Sequence, residues 1–338
     1  MEEAPHRGLV RPVRIDPTGA DGPTRGQARG PRWRQTSHGF YVPAAVDAAN
    51  VDQRILEASV VVPTGCAITG WAALRWLGGV WFTGGGARTK PVTILVGTQD
   101  IRPQPGIQPC GEGVSRHDIV VVDGIPVTVP AWSVVHSMRR STDRREAVAA
   151  LDMAAYSDLV SLAEASEVIG RQSGWTGVPQ ARWARDHGAE NSWSPAETRM
   201  GLVWELDGGH PPPLHNQPLF DRTGRHIGTP DLVDPVAGVV GEYDGAHHLE
   251  PDQRVTDVNR DAAFRAHGLE AVTWLAGDPQ GSFLRRLDAA YRRAGATGAQ
   301  RRTWTIVPPA WWTSTATVEQ RRALSAAERA RFLRYRAA

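Results

Sequence analysis

The residues best placed to do chemistry are the acids of Pro230-Asp231 and of the run Gly241-Glu242-Tyr243-Asp244-Gly245-Ala246-His247-His248. Carboxylates such as Asp231 and Glu242 are hard oxygen donors. Mg²⁺ or Mn²⁺ takes such donors, often only one or two from the protein alongside waters and phosphate oxygens, so the pattern fits a divalent-cation site for phosphate chemistry. His248 adds a base that titrates near neutrality, with His247 as its less constrained neighbour.

Such residues need elements to hold them. Residues 239–243 form a short apolar run halted by the turn pair Asp244-Gly245, which predicts a strand with Glu242 near its end. Residues 216–220 and 227–233 predict a strand pair joined by the polar, glycine-containing stretch 221–225, which sets Asp231 inside the second strand. Residues 252–267 carry the helical spacing Val255, Val258, Ala262, Phe264 and Ala266 between Pro251 and Gly268, and 271–275 read as a further strand. Upstream, Ser194-Pro195-Ala196-Glu197 predicts a helix to about Leu206 opened by a capping box, and that box by itself accounts for Glu197. The predicted order from Ser194 to Leu275 is helix, three strands, helix, strand.

In that order the chain resembles the PD-(D/E)XK nuclease superfamily, within its branch of short domains related to the very-short-patch repair endonucleases. The resemblance rests on Ser194 and Glu197, Asp231, Glu242 with Asp244 and Gly245, His248, and Asp257 with Arg260 and Asp261. It implies an α/β protein with a restriction-endonuclease-like α-β-β-β-α-β core. It also implies a catalytic set of Glu197, Asp231, Glu242, Asp244, His248 and Arg260. Asp231 and Glu242 would hold Mg²⁺ or Mn²⁺, with Glu197 reaching it directly or through water, and Arg260 would face the scissile phosphate. The superfamily pattern ends in E-x-K, but Asp244 stands at the lysine position, and Lys90 is the only lysine in the chain. Arginine stays protonated and cannot replace that base, so proton transfer falls to metal-acidified water or to His248. Arg260 reads equally as a helical ion-pair partner of Asp257 and Asp261. Related domains carry an aromatic after the helix-ending glycine and an arginine in the last strand, where this chain has Leu269 and Thr273.

At 338 residues the chain exceeds one ordinary core. Residues 1–34, rich in Gly, Pro, Arg and Thr without apolar periodicity, predict a disordered head. Residues 35–174 read as a mixed α/β region, 175–191 as a linker, 192–290 as the nuclease-like domain and 291–338 as a basic Trp/Arg-rich extension. Within the mixed region, 67–77 predict a helix, 91–96 a strand, 118–129 a hairpin turning at Asp123-Gly124, and 131–170 mostly helix. Trp33-Arg34-Gln35, Gly39-Phe40-Tyr41-Val42-Pro43 and Gly70-Trp71-Ala72-Ala73-Leu74-Arg75 resemble the middle of the AbiEi-type antitoxins, in which a winged helix ends in a G-x-Y-x-P strand before a mixed α/β domain. Here the helices expected before that wing are missing or replaced by the disordered head.

Cys66 and Cys110 stand apart in sequence and make neither a zinc motif nor a disulfide framework. The head lacks the apolar stretch of a signal peptide, and no run approaches the ~20 apolar residues that span a bilayer, so the expected location is cytoplasmic with no membrane partner. The formal charge of +2 is not that of a polycation built to coat nucleic acid. Acids exceed bases between Glu197 and Asp278, whereas the tail is rich in arginine, which reads either as a phosphate grip or as a solvated helix. Trp304, Trp311 and Trp312 beside it either stack on unpaired bases or pack on the core. The expected activity is a metal-dependent DNA endonuclease or nickase in DNA repair or phage defence, with DNA as partner. The alternative is a non-catalytic DNA-binding regulator, the antitoxin of a type IV toxin–antitoxin system, with a cognate toxin protein as partner.

Overall fold

The computed structural model is a mixed α/β structure and describes residues 8–85, 89–245, 262–297 and 302–336. It divides into two compact units, Met1–Ser141 with Ala163–Ala181, and Thr142–Leu162 with Arg182–Ala338.

In the first unit, β1 (Val13–Arg14), β2 (Trp33–Ser37) and β3 (Phe40–Pro43) make an antiparallel sheet in the order β1-β3-β2. Residues 8–34 are therefore tied down rather than disordered. Val10 exchanges two hydrogen bonds with the side chain of Gln53, and Leu9 packs on the core. These anchors are too few and too scattered to leave a periodic signal. Helix α1 (Val51–Ser59) starts on Asn50, whose side chain accepts the amides of Asp52 and Gln53. Then β4 (Ala67–Thr69) runs directly into α2 (Gly70–Trp76). The stretch 67–77, expected as one helix, thus begins as a strand. Its three residues are wholly buried in a five-stranded sheet, and Gly70 takes φ +65° at the change of course. The sheet is completed by β5 (Val92–Leu95), β6 (Ile107–Cys110), β7 (Ile119–Val122) and β8 (Ile125–Thr128), in the order β6-β5-β4-β8-β7. Helix α3 (Pro130–Arg140) follows.

Helix α4 (Arg144–Tyr156) belongs to the second unit, and α5 (Leu162–Arg171) almost wholly to the first. The stretch read as a linker carries α6 (Val178–Asp186). Next come α7 (Pro195–Leu202), which continues as a π-helical turn over Val203–Asp207, then β9 (Leu214–His215), β10 (Leu219–Asp221), β11 (His226–Gly228), β12 (Leu232–Asp234) and β13 (Val239–Asp244). Residues 262–266 are helical, and β14 (Glu270–Leu275) and α8 (Gln280–Thr297) follow. The chain closes with β15 (Trp304–Thr305), α9 (Val318–Arg322) and α10 (Ala326–Phe332).

Two sheets replace the run of three consecutive strands. β9, β12, β13 and β14 form one in the order β14-β13-β12-β9, with β13 and β14 parallel and the other pairs antiparallel. β10, β11 and β15 form the other. The stretch 227–233 is split between them, because Pro230 has no N–H to give a ladder and breaks the strand after Gly228. Asp231 consequently stands just before β12 rather than inside a strand. One face of the four-stranded sheet packs Leu232, Val239, Val272 and Trp274 against Met200, Val203 and Trp204 and against Phe283 and Leu287 of α8. The other packs Val233 and Val240 against Leu219, Phe264 and Leu269.

Much of the arginine-rich tail serves the fold. Arg321 is wholly buried, and Asp158 receives Arg321, Arg329 and Arg336 together. Among the described residues no helix is long and apolar enough to cross a membrane.

Candidate active site

The site is assembled at one end of the four-stranded sheet. Leu232 pairs with Gly241, so the next residues outward, Asp231 and Glu242, come opposite one another across β12 and β13. Gly241 is required there: a Cβ would lie 2.9 Å from the Trp204 ring packed beneath it. Asp231 Oδ2 accepts the N–H of Tyr243 at 2.7 Å, which fixes that carboxylate against the end of β13. Glu242 is half-buried beside Thr273 of β14. Asp244 lies two residues on, hence on the same face as Glu242, and is exposed.

Helix α7 brings the third carboxylate. It lies close against β9, because Gly201 allows an approach in which a Cβ would be 2.7 Å from His215 Nε2. Ser194 caps the helix by accepting the Glu197 N–H at 3.1 Å. The returning bond of the box goes one residue further back than the ideal pattern: Glu197 Oε2 accepts the N–H of Trp193 at 2.8 Å. Glu197 also accepts from the Ser194 hydroxyl at 2.9 Å and from Asn216 Nδ2 at 2.6 Å. It is buried, and that burial together with the nearby negative charge of Asp231 pushes its pKa up to about 7. Glu197 thus stands in the electrostatic field of Asp231, while acting as part of a helix cap as well.

Three residues that sequence reasoning passed over organise this corner. Asn216 adopts φ +45°, a conformation asparagine tolerates, and its N–H donates to the Asp231 carbonyl at 2.9 Å while its side chain holds Glu197. Asp152 of α4 is buried, accepting from Ala189 N–H at 2.7 Å and Thr198 Oγ1 at 2.8 Å; burial raises its pKa to about 7, with a further push from Glu197. Its signal was legible, since an acid interrupts the apolar run Ala149-Ala150-Leu151-Asp152-Met153-Ala154-Ala155. His215 is held neutral by burial, its pKa lowered to about 4. His247, His248, Asp257, Arg260 and Asp261 lie outside the described residues.

A second constellation forms in the first unit. Cys110, Glu112 and His136 each bring a ligand atom within 4.8 Å of the others, although nothing in the spacing of the three announces it. Its thiol, imidazole and carboxylate make a softer donor set than Mg²⁺ or Mn²⁺ selects. Both oxygens of Glu112 already receive guanidinium groups, from Arg139 and Arg140.

Comparison of the chain with protein-family models, with curated proteins and with solved structures finds no match in any of them.

Proposed function

We propose that the second unit is a metal-dependent DNA endonuclease or nickase domain of the PD-(D/E)XK type, acting on phosphodiester bonds. The observation that carries this reading is the gathering of Asp231 opposite Glu242, with the buried Glu197 near enough to feel the charge of Asp231. The order α7, β9, β12, β13, helical residues 262–266 and β14 agrees with an α-β-β-β-α-β core into which the β10–β11 hairpin is inserted.

The donor set fits Mg²⁺ or Mn²⁺. It consists of carboxylate oxygens, and a divalent cation would offset both the burial and the Asp231 charge that hold the Glu197 pKa up. Asp231 and Glu242 would hold the ion, with Glu197 beside it; the ion would supply charge neutralisation and acidify bound water. The Tyr243 N–H fixes the Asp231 carboxylate, and Asn216 positions Glu197 against it. His248 takes the role of proton acceptor and Arg260 that of phosphate partner, both carried over from the resemblance.

One observation favours a second reading. Asp244, exposed and acidic, occupies the place of the superfamily's lysine. A protein that keeps this domain for DNA binding alone, as an antitoxin-like regulator with a cognate toxin partner, would tolerate that exchange.

Nicking of supercoiled DNA in Mg²⁺ or Mn²⁺ decides between them. We expect metal-dependent cutting that Asp231→Asn and Glu242→Gln both abolish. Salt-sensitive gel shifts without cutting, and no calorimetric heat on Mn²⁺ addition, would hand the assignment to the regulator.

A further inference from the structure

A cavity of about 340 Å³ opens in the second unit, between the loop before α7, the β9–β10 connection, β11 and the C-terminal extension. This volume lies within the range of small-molecule sites, roughly 300–1,000 Å³. Trp312 lines it and is braced on two sides: edge-on to Phe220 at 5.0 Å between ring centres, and inclined by 30° to His226 at 5.0 Å. An indole held this way presents a fixed flat surface without further ordering of its rotamer.

Polar residues line it as well. Asn216 lines the cavity and is 2 % exposed. Its Nδ2 is committed to Glu197 Oε2 and to the Asn191 carbonyl, which settles the orientation of the amide. Its Oδ1 is buried with no hydrogen-bond partner among the described residues. With almost no surface of its own, that oxygen is closed off from the cavity, and Asn216 ties the cavity wall to Glu197. Arg334, exposed, stands at the same cavity. The lining thus combines a flat aromatic surface with a cation.

We propose that this cavity is a subsite for one nucleotide: the base stacks on Trp312 while Arg334 meets the phosphate. The subsite is one side chain away from the carboxylates, because Asn216 joins both. Resting on the nuclease reading above, we assign the nucleotide to the DNA strand itself, as an unpaired residue drawn out of the duplex near the bond to be cut. A base is available for such contacts only when it is unpaired, so the subsite selects bulged or single-stranded DNA over perfect duplex.

The test runs in EDTA, so that binding is read without cleavage. Tryptophan fluorescence and anisotropy would follow deoxyadenosine monophosphate, deoxyadenosine, a single-stranded oligonucleotide, a duplex with one bulged nucleotide and the perfect duplex. We expect the bulged duplex to bind at least about tenfold more tightly than the perfect one, a preference that Trp312→Ala reduces by roughly tenfold and Trp312→Phe largely restores. Arg334→Gln should weaken the monophosphate by about threefold to tenfold and leave the nucleoside unchanged. Equal binding of bulged and perfect duplex, or a preference untouched by Trp312→Ala and Arg334→Gln, overturns the subsite. Arg334 is exposed, so its variant answers even where Trp312→Ala disturbs folding. Wild type that selects the bulge but never cuts keeps the subsite and removes the nuclease. Cutting with no such selection removes the subsite alone. Binding of free monophosphate with no preference among the DNAs shows the same pocket chemistry served by a free nucleotide and overturns the assignment to DNA.

Discussion

Glu197 and Glu112 are two glutamates shielded from water, one in each unit, and they are driven in opposite directions. Burial raises both. At Glu197 the neighbours are neutral donors and another acid, Asp231, so the rise stands and the pKa reaches about 7. At Glu112 the hydrogen bonds of Arg139 and Arg140, with the charge of Arg139, outweigh burial and the pKa falls below its ordinary value. The comparison teaches that a shielded carboxylate is open to an outside cation only where the protein has not already supplied one. Glu112 has two guanidiniums on its oxygens, whereas the buried Glu197 has only neutral donors and the charge of Asp231 around it.

The largest effect expected from this contrast is on cleavage. Glu242→Gln and Asp231→Asn should each lower metal-dependent nicking by more than about a hundredfold, beyond the usual loss from outer-shell partners. Conversely Glu112→Gln should leave nicking unchanged, and equal losses at Glu112 and Glu242 would break the comparison.

Stability should invert the ranking. Glu112→Ala strands Arg139, whose side chain has no exposed surface, and should cost about 3–5 kcal/mol in urea denaturation. Glu197→Gln should cost less than about 1 kcal/mol. The amide oxygen can accept from Trp193 and Asn216, while the Ser194 hydroxyl turns to accept from the amide nitrogen.

A smaller effect appears in pH dependence. Native Glu197 keeps its proton to about pH 7, whereas the unfolded chain releases it near 4.5, so between those values the native state binds more protons and stability falls as pH rises. Asp152 acts in the same direction. His136 and His215, with pKa values lowered to about 4, act oppositely between about 4 and 6.5, so the readout is the difference between wild type and Glu197→Gln. That difference should move in the variant's favour from pH 5 to pH 8. Added Mn²⁺ should raise the wild-type melting temperature at pH 8 and leave it unchanged at pH 5, because protons compete for the same oxygens.

Sequence made some of this legible and hid the rest for physical reasons. The strand carrying Glu242, the capped helix carrying Glu197 and the hairpin turning at Asp123-Gly124 are set by local signals: an apolar run with a turn, a cap, a turn pair. Asp231 was assigned to the wrong setting because the break at Pro230 sends the chain from one sheet into another, a tertiary event. Cys110, Glu112 and His136 meet only because the fold of the first unit brings β6 and α3 together. For residues 8–34, composition reports the lack of a core of their own, not the docking of Leu9 and Val10 on another. Arginines of the tail looked available for phosphate, but Asp158, far off in sequence, takes three of them.

The smallest expected effect sharpens the comparison most. Asp244 sits on the face of Glu242 at an exposed strand end, so Asp244→Lys should change stability by no more than about 0.5 kcal/mol. Its consequence is electrostatic: it replaces a third negative charge near Asp231 and Glu242 with an ammonium that can orient a water or meet a phosphate. If cleavage proceeds through these carboxylates, nicking by the variant should rise severalfold, and Mn²⁺ affinity measured by calorimetry should fall as the local negative charge is reduced. If the domain only binds DNA, the same substitution should tighten binding with a steeper salt dependence and produce no nicking. A variant that changes neither cutting nor binding would place Asp244 outside the site and leave Glu197, Asp231 and Glu242 to account for it alone.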